Sequence, residues 1–163
     1  ETVILRPRGL YGRGDTALLP RLIRAASDGA LPLINHGLAV TDLTYIDDAV
    51  AGIVAALEAP STIHRHTYHL SGGEAISIKS LIEQACRRAG ITPRFTAIPL
   101  GLAMAAARTA EIVAALTPGR PEPLFTAYSV GVMAYSQTLD ISAAYRDLGY
   151  TPKVSFAEGL DRL

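Results

Sequence analysis

Cysteine is nearly absent from this chain of 163 residues: Cys86 stands alone. An internal disulfide is therefore impossible, and a reducing, cytoplasmic setting is expected. Tryptophan is missing, and lysine occurs only at Lys79 and Lys153. No apolar run reaches bilayer-spanning length and no signal peptide is visible, so no membrane span is expected. An excess of either charge is lacking too. Fifteen Lys and Arg balance fifteen Asp and Glu without a long like-charge block, which argues against a nucleic-acid or acidic-membrane surface. There is no initiator Met, and Glu1-Thr2 runs directly into the core-like "VIL". The last segment, "SFAEGLDRL", opens a helix and stops after about two turns. Both ends lead to the expectation of a fragment, the second part of a longer protein.

What is present is apolar substance: 49% hydrophobic and 18% charged residues. That suits one domain, 1–163, with a core of its own. "TVILR" (2–6) reads as a buried strand, followed by the glycine-rich "RPRGLYGRGDT" (6–16) and a helix to about Ser27 with Pro20 in its first turn. "LPLI" (31–34) is extended and "NHG" (35–37) turns the chain. "AVTDLTYI" (39–46) alternates as one strand, and Asp47 is expected to cap a helix with a core stripe of Val50, Ile53, Val54 and Leu57. Strand 65–71 comes next. Ser77 then caps a helix whose core stripe is Ile78, Leu81, Ile82, Ala85, Cys86 and Ala89, stopped by Gly90. Residues 94–99 read as a strand and 101–116 as an Ala-rich helix with Leu102, Ala106, Thr109, Val113 and Leu116 along one side. A proline-rich loop (117–123), a stretch over 124–133 that leans to helix, a helix from Asp140 to Leu148 stopped by Gly149, and a Ser155/Glu158 capping box complete the chain. Strands alternate with helices, so the fold class is α/β with some parallel pairing.

Strand, glycine loop and helix are the parts of a phosphate cradle, but neither template fits. "GLYGRGDT" (9–16) has Asp15 where a P-loop needs lysine, and a carboxylate there repels phosphate. The glycines run G-x-x-G-x-G, not G-x-G-x-x-G, and no acid ends the next strand. The glycines serve a tight turn with positive φ, or the loop lines a site without gripping phosphate. Arg13-Gly14-Asp15 spells an adhesion tripeptide and is taken as chance.

Five segments in order, "ILRPRGLYGRGD", "DLTYIDDAVAGIVAALEAP", "YHLSGGEAISIKSLIEQACRRAG", "RPEPLFTAYSVG" and "TLDISAAYRDLGYTPKVSFAEGL", cover essentially the whole chain. Together they resemble the C-terminal half of extended short-chain dehydrogenases/reductases, the NAD-dependent epimerase/dehydratase superfamily. The branch most resembled is that of 3β-hydroxysteroid and sterol-4-carboxylate 3-dehydrogenases. The resemblance implies the C-terminal part of an extended Rossmann-type fold, with few strands, several helices and a substrate-binding region. It implies an oxidoreductase acting on a secondary alcohol or ketone with NAD or NADP, its dinucleotide fingerprint and Tyr-x-x-x-Lys pair lying upstream. Such a pair needs Tyr four residues before Lys, on one helical face. Ala75 precedes Lys79 and Gly149 precedes Lys153 at that spacing, so no catalytic residue is assigned here and the chain alone is expected to be inactive.

By the same resemblance, Pro7, Arg8, Gly9 and Leu10 approach the nicotinamide, most cofactor contacts coming from the upstream half. Arg8, Tyr11, Arg120 and Tyr128 are the candidate substrate contacts. Nucleotide-sugar epimerases usually carry Arg-Asp-Phe before this helix start, the Arg gripping diphosphate. Here the stretch is Thr41-Asp42-Leu43, which favours a more apolar small-molecule substrate. A nucleotide-sugar epimerase or dehydratase half, and a non-catalytic binding or regulatory module, are the alternatives. The partners implied are the protein's own N-terminal domain and the substrate. Without that domain, strand 2–6 would present an open edge, so self-association through exposed edges, or a disordered start, is expected.

Other constellations have plainer readings. His64, His66 and His69 could include a metal pair, but no Cys or paired carboxylate is near, so no metal is assigned. Asp47-Asp48 reads as capping and helix-dipole stabilisation rather than acid–base chemistry. Cys86 reads as a small core hydrophobe. Ser71 lacks the first Gly of a hydrolase elbow. Arg8, charged and next to a strand read as buried, needs either a ligand or a structural ion pair.

Overall fold

The structure is a computed structural model that describes residues 2–119, 123 and 126–163. In chain order its elements are β1 (Ile4–Pro7), β2 (Leu10–Tyr11), α1 (Leu19–Asp28), β3 (Ala30–Ile34), β4 (Val40–Thr41), β5 (Thr44–Tyr45) and α2 (Ile46–Glu58). They continue with β6 (Thr67–Leu70), β7 (Ile76–Ser77), α3 (Ile78–Arg88), β8 (Arg94–Ile98), α4 (Leu100–Leu116), α5 (Ala127–Ala134), α6 (Ser142–Leu148) and α7 (Phe156–Asp161). The class is α/β. The strands form separate pairs: β1–β6, β2–β5 and β3–β8 are parallel, and β4–β7 is antiparallel.

Local chemistry sets most element ends. Asp15 accepts from the backbone N–H groups of Ala17, Leu18 and Leu19 at 2.8–2.9 Å, so its carboxylate fills the position an anion would take at the start of α1. Partial desolvation pushes that carboxyl upward, but the three backbone donors outweigh it and hold it below the usual carboxylate range. Ser77 accepts from Ser80 N at 3.2 Å and caps α3. Ser155 and Glu158 form their reciprocal box at α7. Gly149 ends α6 at φ +65, a conformation in which a Cβ is strained.

One apolar cluster joins Tyr11, Tyr45, Leu81, Ala85, Phe156 and Leu160, tying α3 and α7 to the β2–β5 pair. Others gather Ala26, Leu31, Ile78, Ile82 and Cys86, or Ile63, Tyr68, Leu70, Ala144 and Tyr150. A smaller one seats α4 and α5 on β3 through Ala107, Val130, Ala134 and Ile34. Burial pushes the Cys86 thiol upward, consistent with a core packing role.

Several expectations are corrected. Residues 39–46 are not one strand. The chain changes partner at Asp42-Leu43, where Asp42 turns inward and Leu43 O accepts from Gly72 N at 2.8 Å. Asp47 does not cap α2; Tyr45 precedes the helix without a side-chain cap, and Asp47 reaches Arg162 at 3.8 Å. Asp48 is buried and accepts from Lys153 N and Val154 N at 2.9 and 3.2 Å.

The expected stripe of α2 is also reversed. Val50, Ile53, Val54 and Leu57 are exposed, Leu57 at 79%, while Asp48, Ala49 and Gly52 face inward. Small residues let the helix ride close to β6: a Cβ on Gly52 would come within 2.6 Å of Leu70. Likewise Leu102, Val113 and Leu116 of α4 are exposed, and Ala107 is its buried residue. Ala89 is exposed beyond the end of α3. Strand β1 exists but is not buried; it pairs with β6, and Ile4 stays exposed. The proline-rich loop falls partly outside the described residues.

Candidate functional site

Strand β1 ends at Pro7, and the segment that follows forms the candidate site. Pro7, Gly9 and Leu10 are exposed. The main chain there is held from behind: Arg8 N donates to Leu70 O at 2.8 Å, Thr44 N to Gly9 O at 3.1 Å and Thr44 Oγ1 to Arg8 O at 2.9 Å. A Cβ on Gly9 would stand 3.0 Å from Leu43, so the glycine permits this close pass.

Arg8 points back into the protein, its side chain 21% exposed. Its Nη2 donates to Gln137 Oε1 at 2.9 Å and Thr41 Oγ1 at 3.3 Å, and its Nε lies 3.5 Å from Asp42 Oδ1. Asp42 is 2% exposed. Its Oδ2 accepts from Ser71 Oγ at 2.6 Å and Leu139 N at 2.9 Å, while Oδ1 is buried with no hydrogen-bond partner among the described residues. A buried carboxylate oxygen without a donor is costly, and the guanidinium beside it is what offsets that cost. Four segments therefore meet at one charged hub: the end of β1, the β4–β5 junction, the end of β6 and residues 137–139.

Of the residues named from the sequence, the structure brings Pro7, Arg8, Gly9 and Leu10 together in one segment. Arg8 makes the structural ion pair named as one of its two options. Tyr11 faces inward: it is 3% exposed, packs on Tyr45 and Phe156 and donates to Ser155 O at 3.3 Å. Burial, foremost, raises its phenol well above the usual tyrosine range. Tyr128 is 79% exposed on α5. Arg120 lies outside the described residues. Asp42, Ser71 and Gln137 were not expected in this group. The one available signal was an acid inside an alternating apolar segment, where an unpaired charge is expensive.

The Pro7–Leu10 surface offers contact without a phosphate grip. Apart from Arg8 it is uncharged, and the backbone groups of Arg8 and Gly9 just listed are already occupied. His66 and Tyr68 lie near each other, their Nδ1 and hydroxyl 3.3 Å apart, and no metal-binding group of His, Cys, Asp or Glu occurs among the described residues. No helix among them is long and apolar enough to cross a membrane.

Parallel strand pairs alternating with helices define an α/β protein, and an open loop at a strand's carboxyl end is where folds of this class bind ligands. Known proteins narrow the class. Residues 1–71 match the NAD dependent epimerase/dehydratase family. A 2-alkyl-3-oxoalkanoate reductase of Stenotrophomonas maltophilia is 34% identical over 99% of this chain and 50% of its own length. The decarboxylating sterol-4-alpha-carboxylate 3-dehydrogenase of Schizosaccharomyces pombe is 26% identical over 99% of this chain and 49% of its own. The crystal structure of a UDP-glucuronic acid 4-epimerase from Bacillus cereus, in complex with NAD, superposes with a TM-score of 0.63 at 27% identity, covering 98% of this chain and 42% of that one. The chain is thus similar over residues 1–71 to the NAD dependent epimerase/dehydratase family, and over nearly its whole length to proteins named as a reductase, a dehydrogenase and an epimerase. It spans about half the length of the curated relatives it matches.

Proposed function

We propose that this chain is the substrate-side part of an NAD- or NADP-dependent oxidoreductase that interconverts a 3-oxo and a 3-hydroxy compound carrying a carboxylate. The observation that carries the proposal is the exposed, uncharged Pro7, Gly9 and Leu10 flanking an Arg8 whose side chain is fixed by Asp42, Gln137 and Thr41. Pro7, Gly9 and Leu10 would hold the nicotinamide end of the cofactor by contact, and Arg8 marks the polar side of the substrate. When bound, the cofactor would supply a hydride acceptor or donor. The names of the two curated relatives support the carboxylate: an alkanoate in one, a sterol carboxylate in the other, each with its redox position at C3.

The sequence holds no tyrosine four residues before a lysine, so on this reading the proton-exchanging group would come from an N-terminal domain of the same protein. The free edge of β1 and the uncovered stripe of α2 are where that domain would dock. Without it, the same surfaces favour self-association.

A nucleotide sugar is the second reading, favoured by the backbone likeness to the UDP-glucuronic acid epimerase. Thr41 counts against it, because no cation stands at that position. The test uses the full protein containing this chain. Oxidation of 2-alkyl-3-hydroxy acids, followed by nicotinamide absorbance, is expected with NAD or NADP. Epimerisation of UDP-sugars without turnover of any hydroxy acid would replace the proposal with the second reading.

A further inference from the structure

We infer that Arg8 is the receptor for the substrate's carboxylate and that Asp42 is the positioning residue that aims it. The inference rests on the hydroxy-acid reading above and names the group that gives that reading its selectivity.

The geometry of the pair is unusual for a purely structural one. Arginine and a buried carboxylate normally meet side by side, through two parallel N–H···O bonds. Here Asp42 cannot offer both oxygens, because Ser71 Oγ and Leu139 N occupy Oδ2. Only Oδ1 faces the guanidinium, at 3.5 Å from Nε and without a formal hydrogen bond. Nη2 is filled by Gln137 and Thr41. Nη1, with two N–H donors, has no partner among the described residues. The network therefore holds the guanidinium through Nη2 and Nε and leaves Nη1 uncommitted among the described residues, on a side chain that keeps 21% of its surface exposed.

The charge of the site selects the ligand. Asp42 partly counters the single cation, so the site suits one negative charge. A diphosphate would bring more charge against Asp42 than Arg8 can offset. A carboxylate accepting from Nη1 satisfies the free donors and keeps Asp42 in place. The neutral ester of the same acid cannot make a charge-assisted bond there.

The test measures oxidation of a 2-alkyl-3-hydroxy acid and of its methyl ester by the full protein, in parallel. The wild-type protein is expected to prefer the acid. Arg8→Gln is expected to lower the acid-over-ester ratio of kcat/KM at least tenfold, mainly through KM for the acid. Arg8→Lys, which keeps the cation, should retain part of the preference. Asp42→Asn keeps an acceptor for Ser71 and Leu139 but should also lower the ratio, by turning an amide donor toward Arg8 Nε. Equal loss on acid and ester in the Arg8 variants would make the residue merely structural and overturn the inference.

If neither compound is turned over, the functional reading has failed and binding decides the inference alone. A saturated 2-alkyl acid that raises the thermal midpoint of the wild type, raises that of Arg8→Lys by less and leaves that of Arg8→Gln unmoved supports it. No shift in the wild type, or an Arg8-dependent shift with UDP in place of the acid, overturns it.

Discussion

Helices α2 and α3 look alike in the sequence and behave in opposite ways. Each carries apolar residues at helical spacing and is preceded by a polar or acidic start. In α3 the stripe is covered by this chain: Leu81 and Ala85 face α7 and the β2–β5 pair, and Ile78, Ile82 and Cys86 face α1 and β3. In α2 the stripe of Val50, Ile53, Val54 and Leu57 is bare, and the inward face is Ala49, Gly52 and Asp48. A hydrophobic stripe shows that something covers a helix; it does not say that the same polypeptide does. Covering a half-exposed aliphatic side chain contributes about 1–2 kcal/mol, so four uncovered ones are a substantial reserve for an interface.

The comparison can be broken most directly by truncation. Leu81→Ala is expected to destabilise the 163-residue chain by about 3 kcal/mol, read from its urea midpoint, because it opens a cavity in a closed core. Ile53→Ala should stay within about 0.5 kcal/mol in the same chain. Equal losses would mean that α2 is covered after all. Next in size, Asp48→Ala should cost about 2 kcal/mol, since Lys153 N and Val154 N lose their acceptor. Faster amide exchange at those two residues would show that the loss is local. The pair Ile53→Ser and Leu57→Ser should instead shift self-association toward monomer in sedimentation and barely move the urea midpoint. Helix starts sharpen the contrast further: Ser77→Ala should cost about 1 kcal/mol, whereas Asp47→Ala should cost under about 0.5 kcal/mol.

Local signals could be read from the chain because their partners lie within a few residues. Ser77 finds Ser80, Ser155 finds Glu158, and Gly149 needs only its own φ. The hub around Arg8 could not be read this way. Asp42 meets Ser71 and Leu139, 29 and 97 positions away, and Arg8 meets Gln137 at a separation of 129. Nothing periodic or compositional links those residues; only the folded chain does. Tyr11 teaches the converse. The resemblance turned it toward a ligand, yet Gly159 leaves just enough room for its ring, and a Cβ there would collide with it. The family pattern does not fix the direction of each side chain. The α/β class and the order of elements needed no such detail, because alternating strand and helix patterns follow from backbone periodicity alone.

Helix α1 supplies a third start, and with it the smallest effect. Its first N–H groups are held by Asp15, three positions before the N-cap, rather than by a residue at the cap itself. Because the folded carboxyl sits below its ordinary value, the unfolded chain binds the proton more readily. The stabilisation is therefore fully present above the unfolded carboxylate range and disappears as pH falls through the folded value. Asp15→Asn should lower stability by about 0.5–1 kcal/mol at neutral pH, in the range of a lost cap. The gap between the variant and wild type should close as the solution is acidified below pH ~4. Asp47→Asn should open a gap of under about 0.5 kcal/mol at neutral pH, because the partner of that carboxylate among the described residues is an exposed arginine at 3.8 Å. A gap at Asp47 as wide as that at Asp15 would mean that the start of α2 is capped in solution, and the contrast with α3 would then rest on the apolar stripes alone.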